Sequence, residues 1–256
     1  MLHELTATRY VTPLREGGSL PAIVDADDGG QYVVKFRGAG QGPKALVAEA
    51  LAAGLAQALG LRIPAAAVIA LGDGFGSGEP DPEIQDLLRA SHGANFGLAY
   101  LPGALAYDAA ADRGLLSAEA AADIVWFDAL ITNVDRTARN TNLLLWQGSV
   151  WLIDHGASLY FHHAAAPEAW PARAAADFPQ IADHVLLAQA GDIHAAHERL
   201  RPLLTEAVVA ALVAAVPEQW LGATQGVREA YVSYVLQRLA NASAWLERTR
   251  QAQQHA

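Results

Sequence analysis

A chain of 256 residues, 52% hydrophobic and 17% charged, has enough apolar material for a substantial core, which excludes a disordered polymer. Its formal net charge of -10 excludes broad binding to nucleic-acid phosphates, which requires a basic face. It has no cysteine, so disulfides, thiolate metal sites and thiol nucleophiles are out; with no signal-peptide layout and no apolar run near about 20 residues, the expectation is a cytoplasmic protein without a membrane span.

The first third reads as short strands at residues 7–14, 22–25 and 32–36, broken by Glu16-Gly17-Gly18-Ser19 and Asp27-Asp28-Gly29-Gly30, an antiparallel meander. In the third strand Tyr32, Val34 and Phe36 alternate with Val33, Lys35 and Arg37, so Lys35 faces away from the apolar side, into a cleft or solvent. Only two of the 17 basic residues are lysines, Lys35 and Lys44. A compact ammonium fits between phosphate oxygens where a guanidinium fork does not, so a lysine in an arginine-rich chain draws attention.

From residue 45 to 59 apolar residues recur four apart, at Val47, Leu51, Leu55 and Leu59, which predicts a helix stopped by Gly60; Glu49 lies off that stripe. Residues 63–71 read as a strand, 72–82 as a Gly- and Pro-rich loop, and 96–101 as a short apolar crossing between two lobes. The remainder is expected to be mostly helical, with a helix over 118–132, a polar segment over 133–142, a hairpin with arms 143–146 and 150–153, and amphipathic helices from about residue 179 onward.

The polar segment places Asp135 five positions before Asn140, at the start of a hairpin that exits into Ile153-Asp154-His155-Gly156. With a two- or three-residue turn, residues 140–142 lie opposite 153–156, which brings Asn140 towards Asp154. An amide oxygen and a carboxylate so placed suit magnesium, which takes few protein oxygens and completes its shell with phosphate and water. Asp135 then faces the acceptor hydroxyl as base. Phosphoryl transfer asks for positioning and charge neutralisation, which these groups offer. His194 and His197, with Asp192 and Glu198, read as a solvated helix face, as does His162-His163.

Together, Gly17-Gly18-Ser19, Tyr32-Val33-Val34-Lys35, Glu49, the Asp135 to Asn140 loop and Ile153-Asp154-His155-Gly156 resemble a HipA-like kinase domain, and also phosphatidylinositol kinases, over residues 10–160. The resemblance implies an α+β, two-lobed protein-kinase-like fold: a small antiparallel β-rich nucleotide-binding lobe over 1–101 and a mostly helical lobe over 102–256. It implies ATP and Mg2+ as cofactors, Lys35 paired with Glu49, Gly17, Gly18 and Ser19 over the nucleotide, and an adenine pocket at Ala99, Tyr100 and Leu101. The extra segment that precedes the kinase core in longer HipA proteins is expected to be missing. Departures from protein-kinase patterns are Asn133 in place of histidine, His155 in place of phenylalanine, and Thr137 where the HipA-like and phosphatidylinositol-kinase patterns often carry histidine. The implied activity is serine/threonine kinase, with Ser19 a candidate for self-modification. The same residues serve a lipid or small-molecule kinase, or survive in a silent binding module; the phosphoacceptor is a protein or small molecule, and a partner protein fits any of these.

Overall fold

The computed structural model describes residues 2–14, 20–164, 166–223 and 225–256. Gly17, Gly18 and Ser19 lie outside the described residues. Strands β1 (His3–Pro13), β2 (Ala22–Ala26) and β3 (Gln31–Lys35) form the expected antiparallel meander. After helix α1 (Gly42–Ala58) come β4 (Ala66–Leu71), helix α2 (Pro82–Ala90) and β5 (Gly93–Ala99). The five strands close into a barrel in the order β1-β2-β3-β5-β4.

Closure departs from an all-antiparallel lobe, because the first residues of β1, His3 to Thr6, run parallel to β4. The later residues of β1, from Ala7, pair with β2, so one long strand with two register shifts serves both neighbours. The barrel interior is filled by alternate residues, among them Ala22, Val24, Val34, Phe36, Ala67 and Ile69, and Ile84 and Leu88 of α2 join them. Helix α2 begins where the loop expected over 72–82 ends: Asp81 caps its first turn by accepting from the Glu83 amide, and Pro82 sits at its start. The crossing expected over 96–101 is also shorter, since Phe96 to Ala99 belong to β5, where they pair with both β3 and β4.

Helix α1 is apolar nearly all round, and its residues from Ala45 to Ala53 are buried on every face. It lies between the barrel and the helical half, and at Gly54 an added Cβ would stand 2.6 Å from the end of the Leu212 side chain, which would have to shift to admit it. The larger core continues from Val68, Phe96 and Leu98 through α1 into the helices, across position 101.

The helical half begins with the short strand β6 (Leu105–Ala106) and helix α3 (Ala118–Ile131), capped at its start by Ser117. Strands β7 (Leu143–Trp146) and β8 (Ser149–Leu152) form the expected hairpin, with Gln147 and Gly148 both at positive φ, as a two-residue turn of this kind requires. Helices α4 (Phe161–Ala164), α5 (Trp170–Ala174), α6 (Ile193–Leu200), α7 (Glu206–Ala214), α8 (Glu218–Leu221), α9 (Val227–Ala240) and α10 (Ser243–Gln253) follow, linked in places by single 3-10 turns.

The C-terminal end of α3 is held by Arg238 of α9. Its buried guanidinium donates to the carbonyls of Ala129 and Leu130 on α3 and of Ala174 and Ala176 at the end of α5. These last-turn carbonyls have no partner within their own helices, so a cation there satisfies them and complements the negative end of each helix. Among the described residues no helix is long and apolar enough to cross a membrane.

Candidate active site

Lys35 ends β3 on the face opposite Val34 and Phe36 and points towards α1 and the hairpin exit, not into open solvent. Its ammonium donates to Oε1 of Glu49, in the middle of α1, and to Oδ1 of Asp154. The side chain of Lys35 is 14% exposed and that of Glu49 1%, whereas Asp154 keeps 44% of its side chain exposed. A carboxylate as deeply buried as Glu49 needs a cation, which explains why a charge is tolerated in so apolar a helix.

Burial works against the charged form of Lys35, yet Glu49 and Asp154 outweigh it and raise its pKa. For Glu49 burial dominates and pushes the carboxyl up, opposed by Lys35. Asp154 is held below the usual carboxylate value, because the attraction of Lys35 overcomes its burial. One cation thus faces two carboxylates of unequal character, the buried one less ready to ionise and the exposed one more so. Gly156 completes the wall: an added Cβ would meet Glu49 Oε1 at 3.2 Å.

The turn after α3 begins at Thr132, whose φ of 53° is uncommon for a β-branched residue. Asn133 then orders the loop, its Nδ2 donating to Asp128 at 2.9 Å and its Oδ1 accepting the Asp135 amide at 3.1 Å. Asp135 Oδ2 accepts from two amides, Asn140 Nδ2 at 2.8 Å and Asn142 Nδ2 at 3.2 Å.

The two asparagines differ in what else they touch. Thr137 and Asn140 exchange backbone hydrogen bonds and make a tight turn that leaves Asn140 exposed, without a bond to Asp154 among the described residues. Asn142 is buried, its carbonyl accepts the Ile153 amide at 3.1 Å, and its Nδ2 lies 3.5 Å from the Asp154 carbonyl. Extending the β7–β8 register by one pair therefore sets Asn142, two positions past Asn140, opposite Ile153, with its side chain beside the Asp154 carbonyl. Asn142 and Asp154 both adopt left-handed backbone, φ 48° and 54°, which these two residue types accept at the lowest cost after glycine. Such conformations concentrate where function requires them.

Below these residues lies a buried cluster of Asp128, Arg136, His155 and His184. Asp128 accepts from Arg136 Nε at 2.5 Å and faces His184 Nε2 at 2.9 Å. Burial alone would raise its pKa, but Arg136 and His184 hold the carboxyl far below the usual range. His155 Nε2 faces Arg136 Nη2 at 2.8 Å; burial, reinforced by the guanidinium, pushes the ring down to about 3, so it is neutral. The sequence signal for this cluster was Asp128, a lone carboxylate within the apolar run Ile124-Val125-Trp126-Phe127, which has to find a partner.

At the barrel exit, the amides of Ala99 and Tyr100 donate to the carbonyls of Ala65 and Gln31, both at 2.8 Å. Leu101, also expected in the nucleotide pocket, is buried, and its carbonyl accepts from Ala104 at 3.1 Å. Among the described residues no cluster of three or more His, Cys, Asp or Glu could hold a metal by itself. A hard cation that takes a few protein oxygens and leaves the rest to phosphate and water still fits Asp154 and Asn142, because Asp154 is half exposed and the side-chain oxygen of Asn142 is not engaged in a hydrogen bond among the described residues.

A comparison with curated proteins returns no match. Among solved structures, the chain is similar to the crystal structure of a Helicobacter pylori proinflammatory kinase, CtkA, with a TM-score of 0.61 at 12% identity, covering 100% of this chain and 99% of the other. At that identity the likeness concerns the fold. The family model for the HipA-like kinase matches residues 8–250, and the chain belongs to that family.

Proposed function

We propose that this kinase uses ATP and magnesium to phosphorylate a serine or threonine hydroxyl of a protein. One observation carries the reading: Lys35 joins Glu49 to Asp154, and Asn142 lies between the Asp154 peptide and Asp135, so an unbroken run of contacts links the barrel to the loop that would meet the acceptor. On this reading residues 1–101 grip the nucleotide, with Leu101 at the adenine edge, and 102–256 carry the catalytic and metal-binding loops.

When bound, ATP supplies the phosphoryl group and magnesium neutralises its charge. Asp154 and Asn142 would hold the metal through side-chain oxygens, with Asn140 steadying Asp135 from outside. Lys35, oriented by Glu49, places a compact positive charge for phosphate oxygens. Asp135 accepts the proton of the acceptor hydroxyl, and the two amides on its Oδ2 keep the other oxygen turned to its task. Ser19, in the turn expected over the nucleotide, is a candidate for self-phosphorylation that would repel ATP through about -1.5 to -2 added charges.

Incubation with labelled ATP and magnesium, followed by mass spectrometry of the enzyme, a protein lysate, lipid vesicles and a metabolite extract, tests the reading. Phosphate on protein serine or threonine supports it, and label confined to lipid or metabolite moves the assignment to that acceptor. No transfer, together with no rise in melting temperature on adding ATP and magnesium, refutes it.

A further inference from the structure

Arg136 follows Asp135 but points the opposite way, into the core, where only 1% of the residue is exposed. Its fork is used in three directions. Nε and Nη2 meet both oxygens of Asp128, at 2.5 and 3.4 Å; Nη2 also meets His155 Nε2 at 2.8 Å; Nη1 donates to the Asn142 carbonyl, with longer contacts of 3.5 Å to the carbonyls of Thr141 and Ile153. Besides Asp128, these partners are Asn142, its neighbour Thr141, and Ile153 and His155, the residues immediately before and after Asp154.

Asp128 is in turn fixed from two more sides, by Asn133 and by His184, whose Nδ1 accepts the Leu186 amide at 3.1 Å and so leaves the proton on Nε2. Asn133 closes the frame by accepting the Asp135 amide. A fully buried ion pair seldom adds net stability over apolar packing, since desolvation offsets its attraction. The placement of its hydrogen bonds on site residues is the better account of this one.

Resting on the kinase reading above, we propose that Asp128 and Arg136 are positioning residues, a buried clamp that sets the spacing of Asp135, Asn142 and Asp154 and thereby the grip on the divalent cation. Neither touches metal or substrate. Lysine cannot replace the arginine, because one ammonium cannot reach Asp128, His155 and the Asn142 carbonyl with fork geometry. Partners of metal-holding groups typically alter metal affinity by about 10- to 100-fold when removed.

The test titrates Mn2+ into the whole chain with ADP present, by calorimetry, for the wild type, Arg136→Lys and the isosteric Asp128→Asn, alongside metal-free ADP binding and thermal melting. The expected result is a cooperative melt, metal affinity weakened about 10-fold or more, and metal-free ADP binding changed by less than about 3-fold. A folded Arg136→Lys or Asp128→Asn whose Mn2+ curve superimposes on that of the wild type overturns the clamp while leaving the kinase reading intact. If neither variant folds, Asn133→Ala, which trims the frame at its rim, carries the same measurement; unfolding of all three assigns the cluster a purely structural role and overturns the proposal. Failure of the wild type to bind Mn2+ with ADP overturns the kinase reading, and the clamp with it.

Discussion

The Lys35 ammonium joins the Asp154 carboxylate across 119 positions of chain, and Glu49 meets the same ammonium from α1. Three elements that share no local sequence thus converge on one charge. Replacing Lys35 with arginine preserves the charge but asks a wide planar fork to fit between two carboxylates already in contact with a single nitrogen. Turnover of Lys35→Arg at saturating ATP is expected to fall by about 100-fold or more. Near-normal turnover would reduce Lys35 to an ordinary ion-pair partner.

The geometry separates the two asparagines that follow Asp135. Asn142→Ala and Asp154→Ala should each lower phosphotransfer by more than about 100-fold, and the double variant should lose little more than either alone, because the two act as a unit. Asn140→Ala removes only one exposed hydrogen bond to Asp135 and should cost less than about 10-fold. Single-turnover rates for the four variants decide the matter, and a larger loss for Asn140→Ala than for Asn142→Ala would return the metal role to Asn140.

His162, expected on a solvated helix face, is instead fully buried in α4, its Nδ1 2.8 Å from the Tyr231 hydroxyl. Burial, with lesser contributions from His163 and Lys44, pushes its pKa down to about 3 from the ordinary 6.5. Between those values the unfolded chain binds a proton that the folded chain refuses. The stability contributed by neutral His162 is therefore complete above about pH 6.5 and lost as pH falls towards 3, at about 1.4 kcal/mol per pH unit. Urea unfolding between pH 4 and 6 should show a slope smaller by that amount in His162→Leu, together with a pH-independent loss of about 1–3 kcal/mol from the unpaired Tyr231 hydroxyl. Parallel profiles for the two proteins would contradict the neutral state of His162.

Arg238 serves carbonyls at the ends of two helices, so Arg238→Leu leaves several buried acceptors without donors. The expected loss is about 3–5 kcal/mol of unfolding free energy by urea titration. Because α3 leads directly into the loop bearing Asp135, any folded fraction should also show reduced turnover. A loss below about 1 kcal/mol would mean that water replaces the guanidinium.

Local patterning determined a good deal of this protein. Period-two alternation put Lys35 on the face opposite Val34 and Phe36, the four-residue apolar spacing marked α1, and Gln147-Gly148-Ser149 between two apolar arms marked the hairpin, because side-chain direction and turn conformation are decided within a few residues. Pairing across long separations is decided by packing. The parallel closure of β1 on β4 depends on two strands separated by α1, and α2 gains its amphipathic face only when the barrel offers Ile84 and Leu88 a surface. The Ile153–Asn142 hydrogen bond selects Asn142 over Asn140 as the neighbour of Asp154, a difference of two residues that composition cannot see. Asp128 is not among the residues singled out from the sequence: a carboxylate in an apolar helix has to find a partner, but which of the nearby cations and histidines meets it is decided by the fold, since a buried charge accepts whichever donors the chain brings within about 3 Å.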